Sequence, residues 1–135
     1  MNILDLPVPY LVHIVLMVSA FFLFVSAWYV VKFRRKQSSW FKKHRTINIV
    51  GLTLVLAAFV TMFGYKTYLQ SGHFSNIHSI IGIIGIGFLA GTPLLSTVFR
   101  KKRALFTLHP WFGRVSLLAV PSAATLGFLY LYGVI

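Results

Sequence analysis

The sequence predicts an all-α fold: a four-helix up-down bundle embedded in a membrane, a single domain over residues 1–135. Three observations carry this expectation. The chain is 58% hydrophobic and 10% charged, more apolar surface than a soluble domain of this length can bury. Its charge-free runs are long: Leu6–Val31, Thr46–Tyr65, Thr67–Phe99 and Val115–Ile135 contain no Asp, Glu, Lys or Arg. About 20 apolar residues cross a bilayer as a helix, so four spans fit. The cations cluster between alternate runs.

The first span is expected over about 8–33, opened by Pro7 and Pro9, which suit a helix start. It lacks a basic leader, and its cations follow the apolar run, so it reads as a retained helix and not a signal peptide. The second is expected over about 44–66 and the third over about 76–99, with Asn76 as its N-cap. The fourth is expected over about 108–132. Pro93 and Pro121 fall inside spans, where membrane helices tolerate kinks. The connecting loops are too short for a second domain.

The net charge of +12 is unevenly placed. Lys32, Arg34, Arg35, Lys36, Lys42, Lys43 and Arg45 lie between spans one and two, and Arg100–Arg103 between spans three and four. The single acid, Asp5, precedes span one, and Lys66 stands near the loop joining spans two and three. In an up-down chain the two basic loops share one side, cytoplasmic by the positive-inside rule, and both termini face outward. Such cations meet anionic lipid headgroups, so membrane lipid and not nucleic acid is the expected partner. There is no cysteine, which excludes disulfides, thiolate metal sites and c-type haem attachment.

No repeated sequence is evident, but a repeated placement is. Each span carries one histidine at its N-terminal end: His13, His44, His78 and His109. Because direction alternates, His13 and His78 share the outer level, while His44 and His109 share the cytoplasmic level. Neighbours in chain order make helices one and three diagonal partners, as are two and four. Two facing histidine pairs result. A bare zinc or iron site in a bundle needs carboxylates, and the single acid of this chain lies outside the spans. Two imidazoles form a complete axial set for a b-type haem, so two haems are expected, His13/His78 outside and His44/His109 inside.

A flat macrocycle needs small residues beside its ligands. Four and seven positions on from each histidine lie on its helix face. His78 is followed by Gly82 and Gly85, His109 by Gly113 and Ser116, His44 by Asn48 and Gly51, and His13 by Met17 and Ala20. Plainer readings stand beside these. A histidine at an interface is often only amphipathic, and glycines in a span often serve helix packing. Met17 and Met62 suit gap-filling, and the aromatic run Phe21, Phe22, Phe24 and Trp28 suits packing or lipid contact. Inner propionates have cations ready in Lys43 and Arg45. Arg114 is expected to meet a propionate, with snorkelling to the headgroups as the alternative. His73, in the outer loop, reads as solvated.

The segments WFKKHRTIN, HSIIGI and HPWFGR, each at a span start, resemble the transmembrane core of the cytochrome b561 family from His13 to about Ser116. The resemblance implies four helices holding two b-type haems through His13, His78, His44 and His109. It also implies a transmembrane electron-transfer oxidoreductase that takes electrons from a cytoplasmic donor such as ascorbate or quinol. The outer acceptor would be ferric iron or monodehydroascorbate. The chain departs from animal and plant members in lacking their flanking helices, and its compactness suits a prokaryotic cytoplasmic membrane. The alternative is an anchor or accessory subunit of a larger electron-transfer complex, with other membrane subunits as partners. A small transporter ranks below both, because coupling needs an intramembrane acid.

Overall fold

A computed structural model describes residues 6–97 and 107–133. Among these the chain is all helix and turn: α1 spans Val8–Phe33, α2 Trp40–Tyr68, α3 Ile77–Thr97 and α4 His109–Leu131. All four are long and apolar enough to cross a membrane. The all-α membrane fold therefore stands. Asp5, the basic run at 100–103 and the expected end of span three lie outside the described residues.

The described chain divides into two compact units, Met1–His73 and Phe74–Ile135. Unit one is the hairpin of α1 and α2, and unit two the hairpin of α3 and α4. Helix starts follow local chemistry. Pro7 sits at the N-cap of α1, where Pro9 in the first turn lacks only an N–H that no helix carbonyl would receive. Asn76 caps α3, its Oδ1 accepting the Ser79 backbone N–H at 2.9 Å and the Ser79 hydroxyl at 2.7 Å. α2 begins at Trp40, a full turn earlier than the apolar pattern starts. Lys42 and Lys43 are thus helical and exposed. They lie toward the water end, where long cations extend from the membrane face.

Each hairpin is held by small residues at helical spacing. In unit one, Ala20, Phe24 and Ala27 of α1 are buried with Gly51, Val55 and Ala58 of α2. A Cβ added at Gly51 would lie 2.7 Å from Phe24, so the ring rests on bare backbone. In unit two, Gly85 and Leu89 of α3 are buried, as are Ser116, Val120 and Ala123 of α4. A Cβ at Gly85 would lie 3.2 Å from that of Ala119. Between helices in lipid there is little hydrophobic driving force, so close van der Waals approach through small residues does the work. Hydroxyls inside the spans are satisfied locally: Ser116, Thr61, Thr92 and Thr125 each donate to the carbonyl four residues back.

The turn after α2 is closed by Ser71 N–H to the Lys66 carbonyl and Gln70 N–H to the Thr67 carbonyl, both at 3.0 Å. This pair of bonds needs a left-handed residue, and Gln70 supplies it with φ 52°. A glycine there relieves the Cβ–carbonyl crowding. Gln70→Gly should therefore stabilise the hairpin by about 0.5–1 kcal/mol, after the glycine's own entropy cost is subtracted. Unfolding in detergent would show this as a later transition; an earlier one would mean that the Gln70 side chain holds the loop.

Candidate functional site

All four span histidines are half-buried and turned into their own hairpins. His13 Nδ1–H donates to the Ala58 carbonyl at 3.1 Å, and His44 Nδ1–H to the Ala27 carbonyl at 3.1 Å. In unit two, His78 Nδ1–H donates to the Ala123 carbonyl at 2.7 Å and His109 Nδ1–H to the Thr92 carbonyl at 3.0 Å. A carbonyl oxygen only accepts. Each neutral ring therefore carries its proton on Nδ1, which leaves Nε2 as the nitrogen with an in-plane lone pair. That is the tautomer a histidine ligating through Nε2 needs, and the carbonyl holds the ring in one orientation.

Three of the four carbonyl acceptors belong to buried alanines, Ala27, Ala58 and Ala123. A larger side chain there would stand between the imidazole and the backbone. Nothing in the residue types marks these alanines as functional. The signal that identifies them is a register. His78 and His109 lie 65 residues after His13 and His44 (78 − 13 = 109 − 44 = 65), and the four acceptors obey the same offset. So do the buried sets: Gly51, Val55 and Ala58 map onto Ser116, Val120 and Ala123 without a gap. The two hairpins are structural repeats whose shared positions are mostly small or apolar, which is why the likeness is faint in the letters.

The same bonds fix depth. His13 is level with Ala58, fourteen residues along α2 from His44, and Ala27 lies fourteen along α1 from His13. At 1.5 Å per residue the two rings of this hairpin are about 21 Å apart along the axis. His78 and His109 repeat that spacing in unit two. Within a hairpin, then, the rings stand at opposite ends. The pairs His13/His78 and His44/His109 each draw one ring from each unit.

The small residues near the ligands separate into two kinds. The positions seven on (Ala20, Gly51, Gly85 and Ser116) are all buried between the helices of their own hairpin. Helix packing alone accounts for their size, including that of Gly51 against Phe24. Gly82 and Gly113, four residues on from His78 and His109, differ. A Cβ built at either would meet nothing within 4 Å. No packing contact requires glycine there, and the open surface beside the histidine ring is what a flat macrocycle would occupy. A further close approach is Gly127, where a Cβ would stand 3.0 Å from the Cε1 and Nδ1 of His78.

The expected cations are all exposed. Lys43 and Arg45 flank His44 on the exposed surface. The Arg114 guanidinium lies over the Trp111 ring at 5.1 Å. At about 100° per residue, Arg114 is roughly 140° around α4 from His109. It shares the exposed face with Trp111 and Leu118. His73 differs from expectation: it is half-buried, stacked on Phe63 with ring centroids 4.1 Å apart, and its Nε2 is 3.4 Å from the Thr67 hydroxyl. The Phe63 ring removes it from the solvated state expected of a loop. At the end of unit two where α3 begins, Ser75, Asn76, Ile77, His78, Leu126 and Tyr130 line a cavity of about 260 Å³.

Among the described residues no three His, Cys, Asp or Glu side chains converge as a bare metal site would need. The donor types fit haem instead: each unit holds two Nδ1-protonated imidazoles at opposite ends of its hairpin, with a glycine surface next to His78 and next to His109. Residues 12–99, more than half of the chain, match the family model described as eukaryotic cytochrome b561. The matched segment contains His13, His44 and His78, and His109 follows it. The match lends no support to a prokaryotic source. No curated protein and no solved structure shows a match to the chain.

Proposed function

The chain belongs to the cytochrome b561 family, transmembrane b-type cytochromes, and on that premise we propose that it carries electrons across a bilayer between two bis-histidine haems. In this reading the two hairpins assemble as one four-helix domain. His13 and His78 ligate the outer haem, and His44 and His109 the inner one. The single observation that carries it is the shared Nδ1–H-to-carbonyl bond at all four histidines, which prepares Nε2 as a ligand at two depths. A b-type haem held by such a pair would supply one-electron ferric–ferrous chemistry.

The protein's own residues do the rest. The carbonyls of Ala27, Ala58, Ala123 and Thr92 hold each ligand ring in one orientation. Electron transfer is favoured when a site does not reorganise. The apolar helices keep water from the path, and Gly82 and Gly113 leave room for the macrocycle faces. Lys43 and Arg45 neutralise inner propionates and draw an anionic donor such as ascorbate to that face. The positive-inside rule makes that side cytoplasmic and directs α1 and α3 inward from the outer side. On the outer side, the Ser75, Asn76 and Tyr130 cavity offers neutral hydrogen-bond donors beside His78, suited to outer propionates or to a small acceptor.

The test is a haem count. The detergent-purified protein, produced with ample haem supply, should give a pyridine haemochrome spectrum equivalent to two haems b per chain and should be reduced by ascorbate. A colourless protein would remove the conduit and leave a structural membrane subunit. Stable co-purification of other chains would instead place the haems within a larger complex.

A further inference from the structure

The two hairpins repeat one another closely around their ligands, so a polar residue that breaks the repeat is informative. Such a residue is Asn48. It stands one turn on from His44, in the register where unit two has Gly113. Its amide nitrogen donates to the His44 carbonyl at 2.8 Å. Because that carbonyl only accepts, the atom there is Nδ2 and not Oδ1.

The same nitrogen lies 3.2 Å from His44 Nδ1 and 3.3 Å from His44 Nε2. Near-equal distances to both ring nitrogens place it above the imidazole. An in-plane approach at that range would collide with Cε1, which lies between them. The amide therefore has one N–H on the backbone and its second hydrogen over the ring face, while the in-plane lone pair of Nε2 points elsewhere. An N–H dipole over a π face is a weak bond, but it draws electron density from the ring.

We propose that Asn48 is a positioning residue for the inner haem: it clamps the His44 imidazole face-on and weakens its electron donation to iron. This rests on the proposed ligation by His44. All four rings donate Nδ1–H to a carbonyl, which strengthens Nε2 as an electron donor. Only at His44 does the residue one turn on bring an amide, since the equivalent positions hold Met17, Gly82 and Gly113. The inner haem thus has two unequal axial ligands, a strong one in His109 and a tempered one in His44. A poorer donor stabilises ferric iron less, so Asn48 raises the inner reduction potential and biases the inner haem toward holding the incoming electron.

Two variants separate this from a packing role. In Asn48→Leu the side chain keeps its bulk and loses both N–H groups. In Asn48→Ser the hydroxyl still reaches the carbonyl four residues back, as Ser116 does to Phe112 at 2.8 Å, but the amide N–H over the ring is gone. Redox titration and low-temperature EPR of both full-length variants should show one haem moved to lower potential with a changed gmax, and the other as in the parent. Loss of one haem of the two in Asn48→Leu would support the clamp as well. Wild-type potentials and EPR in Asn48→Ser would overturn the proposal, whatever Asn48→Leu does. Absence of haem from the parent protein would instead sink the ligation reading on which it stands.

Discussion

Replacing any one of the four span histidines with alanine should reduce the haem content from two per chain to one. His44→Ala and His109→Ala should remove the inner haem, and His13→Ala and His78→Ala the outer one. A b-type haem has no covalent tether, so losing one of two axial bonds removes most of what holds it. The bound macrocycle also stabilises the folded state by mass action, so each variant should unfold earlier in detergent. Equal losses within each pair, with distinct spectra between pairs, would establish the pairing. His73→Ala is the control. Its ring is stacked on Phe63, and its removal should leave both haems in place. Loss of a haem there would reassign the outer ligand.

The second large effect concerns glycines that look alike in the sequence and differ in the fold. Gly82→Leu places a side chain where nothing lies within 4 Å, so the α3–α4 hairpin should form as before while the outer haem is excluded. Gly51→Leu is the opposite case. Its Cβ would arrive 2.7 Å from Phe24, and separating α1 from α2 should cost about 1–3 kcal/mol, or more if Phe24 cannot turn aside. Haem stoichiometry and unfolding midpoint, measured on both variants, distinguish the two outcomes. Should Gly82→Leu retain two haems with unchanged spectra, the slot beside His78 is not where the macrocycle lies.

The legible part of this protein is what one-dimensional chemistry dictates. Charge-free runs of span length can be satisfied in lipid only as helices, because every backbone N–H and C=O needs an internal partner there. Helix count, order and most boundaries follow from that rule alone. The histidines were legible for the same reason, since an ionisable ring at the start of every span is costly without a task. α2 starts earlier than hydropathy suggests because Trp40–Lys43 can be helical in the headgroup region while carrying charge. Apolarity marks where lipid begins, not where hydrogen bonding begins.

Four spans, and a histidine at the start of each, were therefore determined by the sequence itself. What only the tertiary structure decided is how each ring is used. It assigned the Nδ1 proton to a carbonyl on the neighbouring helix, turned Ala27, Ala58 and Ala123 from filler into ring supports, and revealed the offset of 65 residues. It also divided the small residues into those that pack helices, such as Gly51 and Gly85, and those left open, Gly82 and Gly113. The physical reason is that a glycine's role and an imidazole's tautomer depend on what stands opposite them, and the facing atoms here lie 17 or 45 residues away in the chain.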